Sequence, residues 1–408
     1  MIQTVRGMRD LIGTDALLQK QIEEKIESVY ASYGYLPLYT PTVENFELFK
    51  VKGTSGEQIK DEIYYFLDKS ERELALRFEF TSSLARVASS SQLKMPFKRY
   101  QIGEVYRYDR PQAKRYRAFE QADADILGVE GLEAELELMF ISREVFKKLE
   151  IKPVILINSR KLLNDLIGSY ANGKEVEVMR VLDKLDKLDK NEIIKMLNEL
   201  GINGKELVEL INENKLESIE QKIGIDSVGV KEVKEFLSLC KENKLDFVKF
   251  DARLARGFEY YTGIVFEVKM DNGPSVGGGG RFDKLIEKYG GQKTPAVGIS
   301  FGVSRLFDYF KEQNTKVKFD GIFLIGLGIK KSELNKTGNL IRNEGINCEV
   351  TLKEMNISKA IDFAEKKGFN YIGIIGENEL KEKKITIKDL STGKQEIVKV
   401  SEIKKMLV

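Results

Sequence analysis

The sequence predicts an α/β protein with a large sheet-based domain, a helical insertion within it, and a small α/β domain after it. Three observations predict this. Strand-like runs at 63–67, 74–80, 97–108 and 119–127 return at 246–254 and 257–270. Between them, from about 161 to 243, the chain reads as short helices rich in Lys, Glu and Leu, so the block interrupts one sheet. Beyond a polar stretch at 311–318 (KEQNTKVK), the texture alternates as β-α-β-α-β, the pattern of a mostly parallel sheet. A chain of 408 residues accommodates two or three domains, and the boundaries read as 1–318 and 319–408.

From about Asp15 to Tyr33, the residues Ile22, Ile26, Val29, Tyr30 and Tyr33 recur at helical spacing, and Gly34 supplies the stop. Tyr35 to Val43 (YLPLYTPTV) reads as extended, and Pro37 and Pro41 confine it to a sheet edge or an interface. The segment 99–128 (RYQIGEVYRYDRPQAKRYRAFEQADADILG) reads as two strands around a basic hairpin loop. The repeat DKLDKLDK at 183–190 reads as an exposed helix with a narrow apolar stripe. In SVGGGGRFDKLI (275–286) four glycines permit close approach of a ligand or a strand, but a lone glycine run reads more readily as a flexible turn. PAVGISFGVSRLFDYF (295–310) reads as a strand feeding a helix. GIFLIGLG (321–328), INCEVTL (346–352) and YIGIIG (371–376) are the later strands, with helices near 331–344 and 358–367.

Composition excludes several chemistries. The net charge is +2, so any contact with nucleic acid must come from local basic patches. Histidine is absent, which removes Ser-His-Asp and Cys-His mechanisms and His-ligated metals. Cys240 and Cys348 form neither a disulfide framework nor a zinc motif. With a polar N-terminal stretch and no run of 18 apolar residues, the expectation is a cytoplasmic protein without membrane association.

The segment 99–128 carries the densest chemistry. Arg107, Arg110, Lys114, Arg115 and Arg117 interleave with Tyr106, Tyr108, Tyr116 and Phe119. Guanidinium forks suit phosphates and an aromatic face suits a purine. Strand alternation sends Phe119, Gln121, Asp123 and Asp125 to one face, where carboxylates suit a cationic or N–H-bearing substrate. A solvated charged hairpin is the plainer alternative. ARLARGFEYYTGIVFEV (252–268) by itself reads as a core strand with aromatic packing.

Taken together, these segments resemble a known family. Gly34-Tyr35-x-x-Leu38-x-x-Pro41 is similar to motif 1 of class II aminoacyl-tRNA synthetases, YRYDRPQAKRYRAFEQADADILG to motif 2 as histidyl-tRNA synthetases carry it, and PAVGISFGVSRLF to motif 3. ARGFEYYTG resembles the signature of the histidine enzymes, and the likeness runs from RGMRDL at residue 6 to 310 and on through the α/β tail. It implies an α+β catalytic domain with a mainly antiparallel sheet flanked by helices, and a C-terminal anticodon-binding domain. The implied reaction activates L-histidine with ATP and Mg²⁺ to histidyl-adenylate and transfers the histidyl group to tRNA(His).

By position, the resemblance places Glu79, Phe80 and Thr81 at the substrate, with Glu79 and Thr81 on its α-amino group and Gln121 nearby. Asp125 and Tyr261, with Tyr260 adjacent, would read the imidazole nitrogens. Arg107 and Arg256 would hold the α-phosphate and substrate carboxylate, Arg305 the γ-phosphate, and Phe119 would stack on adenine. Asp109 and Arg117 complete the ATP set, and no protein side chains are assigned to Mg²⁺. Arg107, Arg256 and Gln121 are the expected catalytic group. Asp109 stands where many class II enzymes carry Glu, Glu120 where bacterial relatives often have His, and Phe282 where Tyr is frequent. The motif 1 segment implies a homodimer, and the motif 2 loop 110–117 and the tail are expected to contact tRNA. Two non-catalytic readings stand against the enzyme: a histidine-sensing regulatory subunit of ATP phosphoribosyltransferase, and a tRNA sensor. The retained arginines and the C-terminal domain weigh against the first, and the lack of an attached kinase domain against the second.

Overall fold

The computed structural model describes residues 2–51, 59–108, 115–171, 173–182, 184–185, 188–254, 260–270, 273–315 and 317–407. The chain divides into two compact units, one of Met1–Arg9 with Ile22–Tyr309 and one of Asp10–Gln21 with Phe310–Val408.

In the first unit the strands are β1 (Leu36–Pro37), β2 (Val43–Asn45), β3 (Tyr65–Leu67), β4 (Glu73–Leu76), β5 (Phe97–Tyr106), β6 (Ala118–Leu127), β7 (Pro153–Ser159), β8 (Val248–Phe250), β9 (Ile264–Met270), β10 (Ser275–Arg281) and β11 (Ala296–Gly302). Eight of them form one sheet in the order β1-β5-β6-β11-β10-β9-β7-β8. Its interior pairings are antiparallel; only β1 with β5 and β7 with β8 run parallel. This is the mainly antiparallel sheet the motifs imply. The remaining strands make a small antiparallel sheet, β2-β4-β3. The proline-bearing segment after Gly34 contributes only the two residues of β1 at the sheet edge, because Pro37 and Pro41 lack the N–H a longer ladder requires.

The helix α1 (Thr14–Ser32) ends as its sequence demands, with Gly34 at a φ of +78° that a side chain would strain. Ile22, Ile26, Val29 and Tyr30 are buried, and the Tyr30 hydroxyl donates to the Ala122 carbonyl of β6 at 2.9 Å. The helix α2 (Thr81–Ser90) follows the second sheet, and α3 (Glu133–Lys148) lies between β6 and β7. Six helices stand between β7 and β8 among the described residues, beginning with α4 (Arg160–Ala171) and α5 (Glu175–Leu182) and ending at Glu242.

The four glycines 277–280 lie inside β10 and are no flexible turn. A Cβ on Gly279 would stand 2.0 Å from the Gly298 carbonyl oxygen and 2.5 Å from the Phe266 ring, so packing between β9 and β11 imposes the small residue.

The second unit carries β12 (Phe319–Leu327), β13 (Cys348–Val350), β14 (Phe369–Gly376), β15 (Lys384–Asp389) and β16 (Gln395–Lys399) in the order β13-β12-β14-β15-β16. Ile322 and Leu324 face one core while Phe323 and Ile325 face the other, the period of two that a doubly covered strand requires. The expected mostly parallel sheet is corrected here. β12 pairs parallel with β13 and β14, but β14-β15-β16 is antiparallel. Residues 377–383 are too short a link for a parallel crossover, which needs about a dozen or more residues, so the chain turns back on itself. No helix among the described residues is long and apolar enough to cross a membrane.

Candidate active site

One cavity of about 1250 Å³ in the first unit opens over the face shared by β6, β10 and β11. Its floor follows from register. Gln121, Asp123 and Asp125 of β6 stand opposite Gly302, Ser300 and Gly298 of β11, so side chains on one strand meet gaps on the next. A Cβ on Gly298 would lie 2.0 Å from Asp125 Oδ1, and the absent methyl is what lets that carboxylate occupy the floor.

Asp125 is ion-paired with Arg99, its direct partner across β5 and β6, at 2.6 Å. Arg99 is fully buried and Asp125 nearly so, at 0% and 3% exposure, so each charge depends on the other in a medium that cannot hydrate either. Asp123 is also buried, and burial pushes its carboxyl up to about 7, with the Arg99 guanidinium acting in the opposite direction. The Gln121 amide donates from Nε2 to Ser300 Oγ at 2.8 Å, and Ser300 is in turn hydrogen-bonded to Asp123. Gln121 Oε1 and Asp123 Oδ1 are left as buried acceptors with no donor.

Glu79 lines the same cavity and accepts the N–H groups of Thr81 and Ser82 at 2.6 and 3.0 Å, capping the first turn of α2. The Arg107 guanidinium lies between two rings, 4.5 Å from the Phe78 centroid and 5.1 Å from that of Phe119. This sandwich fixes the plane of its fork. Arg305 is anchored by donation from Nη1 to the Ser275 carbonyl at 2.7 Å. Tyr260 and Tyr261 face each other with ring centroids 4.3 Å apart and hydroxyls hydrogen-bonded, both held above the usual phenol range chiefly by burial.

Glu79, Thr81, Arg107, Phe119, Gln121, Asp125, Tyr260, Tyr261 and Arg305 therefore meet in one cavity. Phe80 does not line it. At 0% exposure its ring packs in the core, 5.0 Å below the Arg77 guanidinium, while its neighbours Glu79 and Thr81 turn to the cavity. Arg117 also lies off the lining, stacked 4.2 Å over the Tyr108 ring, and Arg115 takes the place at the wall. Asp109 and Arg256 lie outside the described residues, as does most of the basic loop 110–117. Sequence reasoning passed over Ser300, which the register across β6 and β11 would have indicated, and Met179 and Arg180 of α5, which line the cavity from the insertion and carry no local signal.

Comparison with known proteins shows the family. A family model described as histidyl-tRNA synthetase matches residues 7–306, and one described as an anticodon binding domain matches 322–408. The chain belongs to the histidyl-tRNA synthetase family. Its relatives include the histidine–tRNA ligase of Pyrococcus horikoshii, 34% identical over 99% of this chain and 98% of that protein. That of Nanoarchaeum equitans is 34% identical over 100% and 99% of the two chains. The crystal structure of histidyl-tRNA synthetase from Nostoc sp. PCC 7120 superposes with a TM-score of 0.84 at 25% identity, covering 100% of this chain and 99% of that one.

Two features bear on how this histidyl-tRNA synthetase site is built. Among the described residues no group of three His, Cys, Asp or Glu side chains is arranged to hold a metal ion, so no protein cage for Mg²⁺ is present there. The glycine floor has no spare volume. Gly298→Ala is expected to cost about 1–3 kcal/mol by overpacking against Asp125 and to weaken histidine binding, read by thermal unfolding and a histidine titration. A fully stable variant with unchanged affinity would contradict the role given to this floor.

Proposed function

We propose that the chain activates L-histidine with ATP to histidyl-adenylate and transfers the histidyl group to the 3′ end of tRNA(His), acting as a class II aminoacyl-tRNA synthetase. The observation that carries this reading is the meeting, in one cavity, of buried acceptors for N–H groups with arginines suited to phosphate. Glu79 and Thr81 hold the α-amino group, with Gln121 nearby. Asp125 and Tyr261 read the imidazole, with Tyr260 adjacent. Arg107 and Arg256 meet the substrate carboxylate and α-phosphate, Arg305 the γ-phosphate, and Phe119 and Asp109 the adenine. Mg²⁺ accompanies the ATP phosphates and adds positive charge there.

The substrate carboxylate is ionised at neutral pH and attacks the α-phosphorus directly; the bond to pyrophosphate breaks and no general base is needed. What the protein supplies is in-line placement and fixed positive charge, which a chain without histidine can still provide. In the second step the terminal ribose hydroxyl attacks the carbonyl carbon and AMP leaves. A phosphate oxygen of the adenylate takes the hydroxyl proton, with Gln121 positioning the adenylate. A buried acceptor facing an imidazole N–H is left unpaired by any apolar amino acid, which supports discrimination of about 10⁴ without editing.

The proposed division is a catalytic domain at 1–318, with the insertion at about 161–243, and an anticodon-binding domain at 319–408. A cytoplasmic homodimer belongs to the same proposal, supported by Leu36 and Tyr39, which stand 67% and 83% exposed on the motif 1 segment. Histidine-dependent ATP–pyrophosphate exchange followed by charging of tRNA(His) tests the function. Exchange without charging would favour a regulatory paralogue, and no exchange a sensor. Light scattering at the monomer mass of 46.5 kDa would remove the dimer.

A further inference from the structure

The cavity floor carries a charge imbalance that the assigned roles do not resolve. Asp123 and Asp125 are alternate residues of β6, on one face and both buried, and among the described residues the one buried guanidinium beside them, Arg99, is ion-paired with Asp125. Asp123 is met instead by the Ser300 hydroxyl, a neutral donor whose orientation is set by Gln121 Nε2. Asp123 lines the cavity, and its buried Oδ1 has no hydrogen-bond partner. The other described groups around it add no cation: Gln101 stands opposite on β5, Glu79 precedes α2, Tyr260 and Tyr261 precede β9, and Tyr30 comes from α1. Two buried carboxylates over one cation leave a surplus negative charge, which a low-dielectric site relieves by binding a proton or a cation.

We infer that Asp123 is a second specificity-determining residue for histidine, pairing with the imidazole so that the carboxyl and the ring together hold one proton more than the free species carry above neutral pH. This rests on the proposed reaction. The proton comes from solvent and no covalent bond changes. It sits between Asp123 Oδ1 and a ring nitrogen, either as carboxylate with imidazolium or as carboxylic acid with imidazole, and the pair is neutral in both forms. Asp125, neutralised by Arg99, accepts from the other ring N–H, and Asp123 shares with Tyr261 the nitrogen that Asp125 does not take. The arrangement selects a side chain that is at once a donor, an acceptor and a base of near-neutral pKa, a combination only histidine offers.

Burial pushes the free Asp123 carboxyl up to about 7, so above that pH binding is expected to draw a proton from buffer. The test is calorimetric titration of histidine into the full-length protein at pH 8 in two buffers of different ionisation heat. The wild type is expected to take up about one proton per histidine and D123N none. In ATP–pyrophosphate exchange, the wild-type KM for histidine should rise about five-fold from pH 7 to pH 8, while that of D123N stays flat. S300A removes a donor that favours the ionised carboxyl, so its rise should begin at higher pH, a shift that general loss of folding would not produce. Equal proton uptake in wild type and D123N, or none in the wild type, would overturn the inference while histidine-dependent exchange still upheld the parent reading. Absence of that exchange in the wild type would sink both.

Discussion

Arg107→Ala is expected to lower histidine-dependent ATP–pyrophosphate exchange by about 10²- to 10³-fold while leaving the protein folded. The Arg107 side chain donates from Nε to the Phe78 carbonyl at 3.5 Å. It lies between the faces of Phe78 and Phe119 and reaches the cavity wall. The rings hold the guanidinium plane before substrate arrives, so charge developing at the α-phosphorus meets a donor that needs no reorganisation. Arg107→Lys should recover little of the loss, since an ammonium neither stacks between the rings as a plane nor presents a fork to two oxygens. The measurement is initial-rate exchange at saturating ATP and histidine, with circular dichroism to confirm folding. Exchange within a few-fold of wild type in the alanine variant would remove Arg107 from the α-phosphate.

Asp125→Ala is expected to cost about 3–5 kcal/mol of stability and to abolish histidine-dependent activity. Both losses arise from one contact. The alanine takes away the carboxylate 2.6 Å from Arg99, a cation at 0% exposure, and leaves it the field of Asp123 but no hydrogen-bond acceptor for its nitrogens. The double variant R99M/D125L replaces the pair with apolar volume and should regain most of that stability without regaining activity, because the carboxylate that faces the ring is still missing. Denaturant midpoints of the two variants against the wild type, with exchange assays alongside, separate the structural from the functional share. A double variant as unstable as the single one would show that the ion pair is not what the floor depends on.

Much of this site could be read from the chain. The alternation of FEQADADIL placed Phe119, Gln121, Asp123 and Asp125 on one face, and the cavity is lined by all four. The helical period placed α1, which has one face buried, while β6 and β11, buried at consecutive positions, stood out as strand-like runs. Phe80 was harder. It sits between two residues that do face the cavity, and only the turn into α2 shows that its own ring goes to the core. The glycines 277–280 read as a loop because permissiveness looks the same whether it serves a turn or a crowded strand; the neighbour that forbids a Cβ, Gly298, is distant in sequence.

By itself, the sequence determined which chemistries were open to this protein. Without histidine the first step is left to fixed charge and placement, and the motifs named the arginines proposed to supply it. It also determined which side chains share a strand face, since that follows from local backbone geometry alone. Only the tertiary structure decided which charges are compensated. That Arg99 neutralises Asp125 and leaves Asp123 to a serine hydroxyl depends on the register of β5, β6 and β11. Register is a long-range pairing, and the electrostatic consequence of a carboxylate depends on what lies within a few ångströms of it in space.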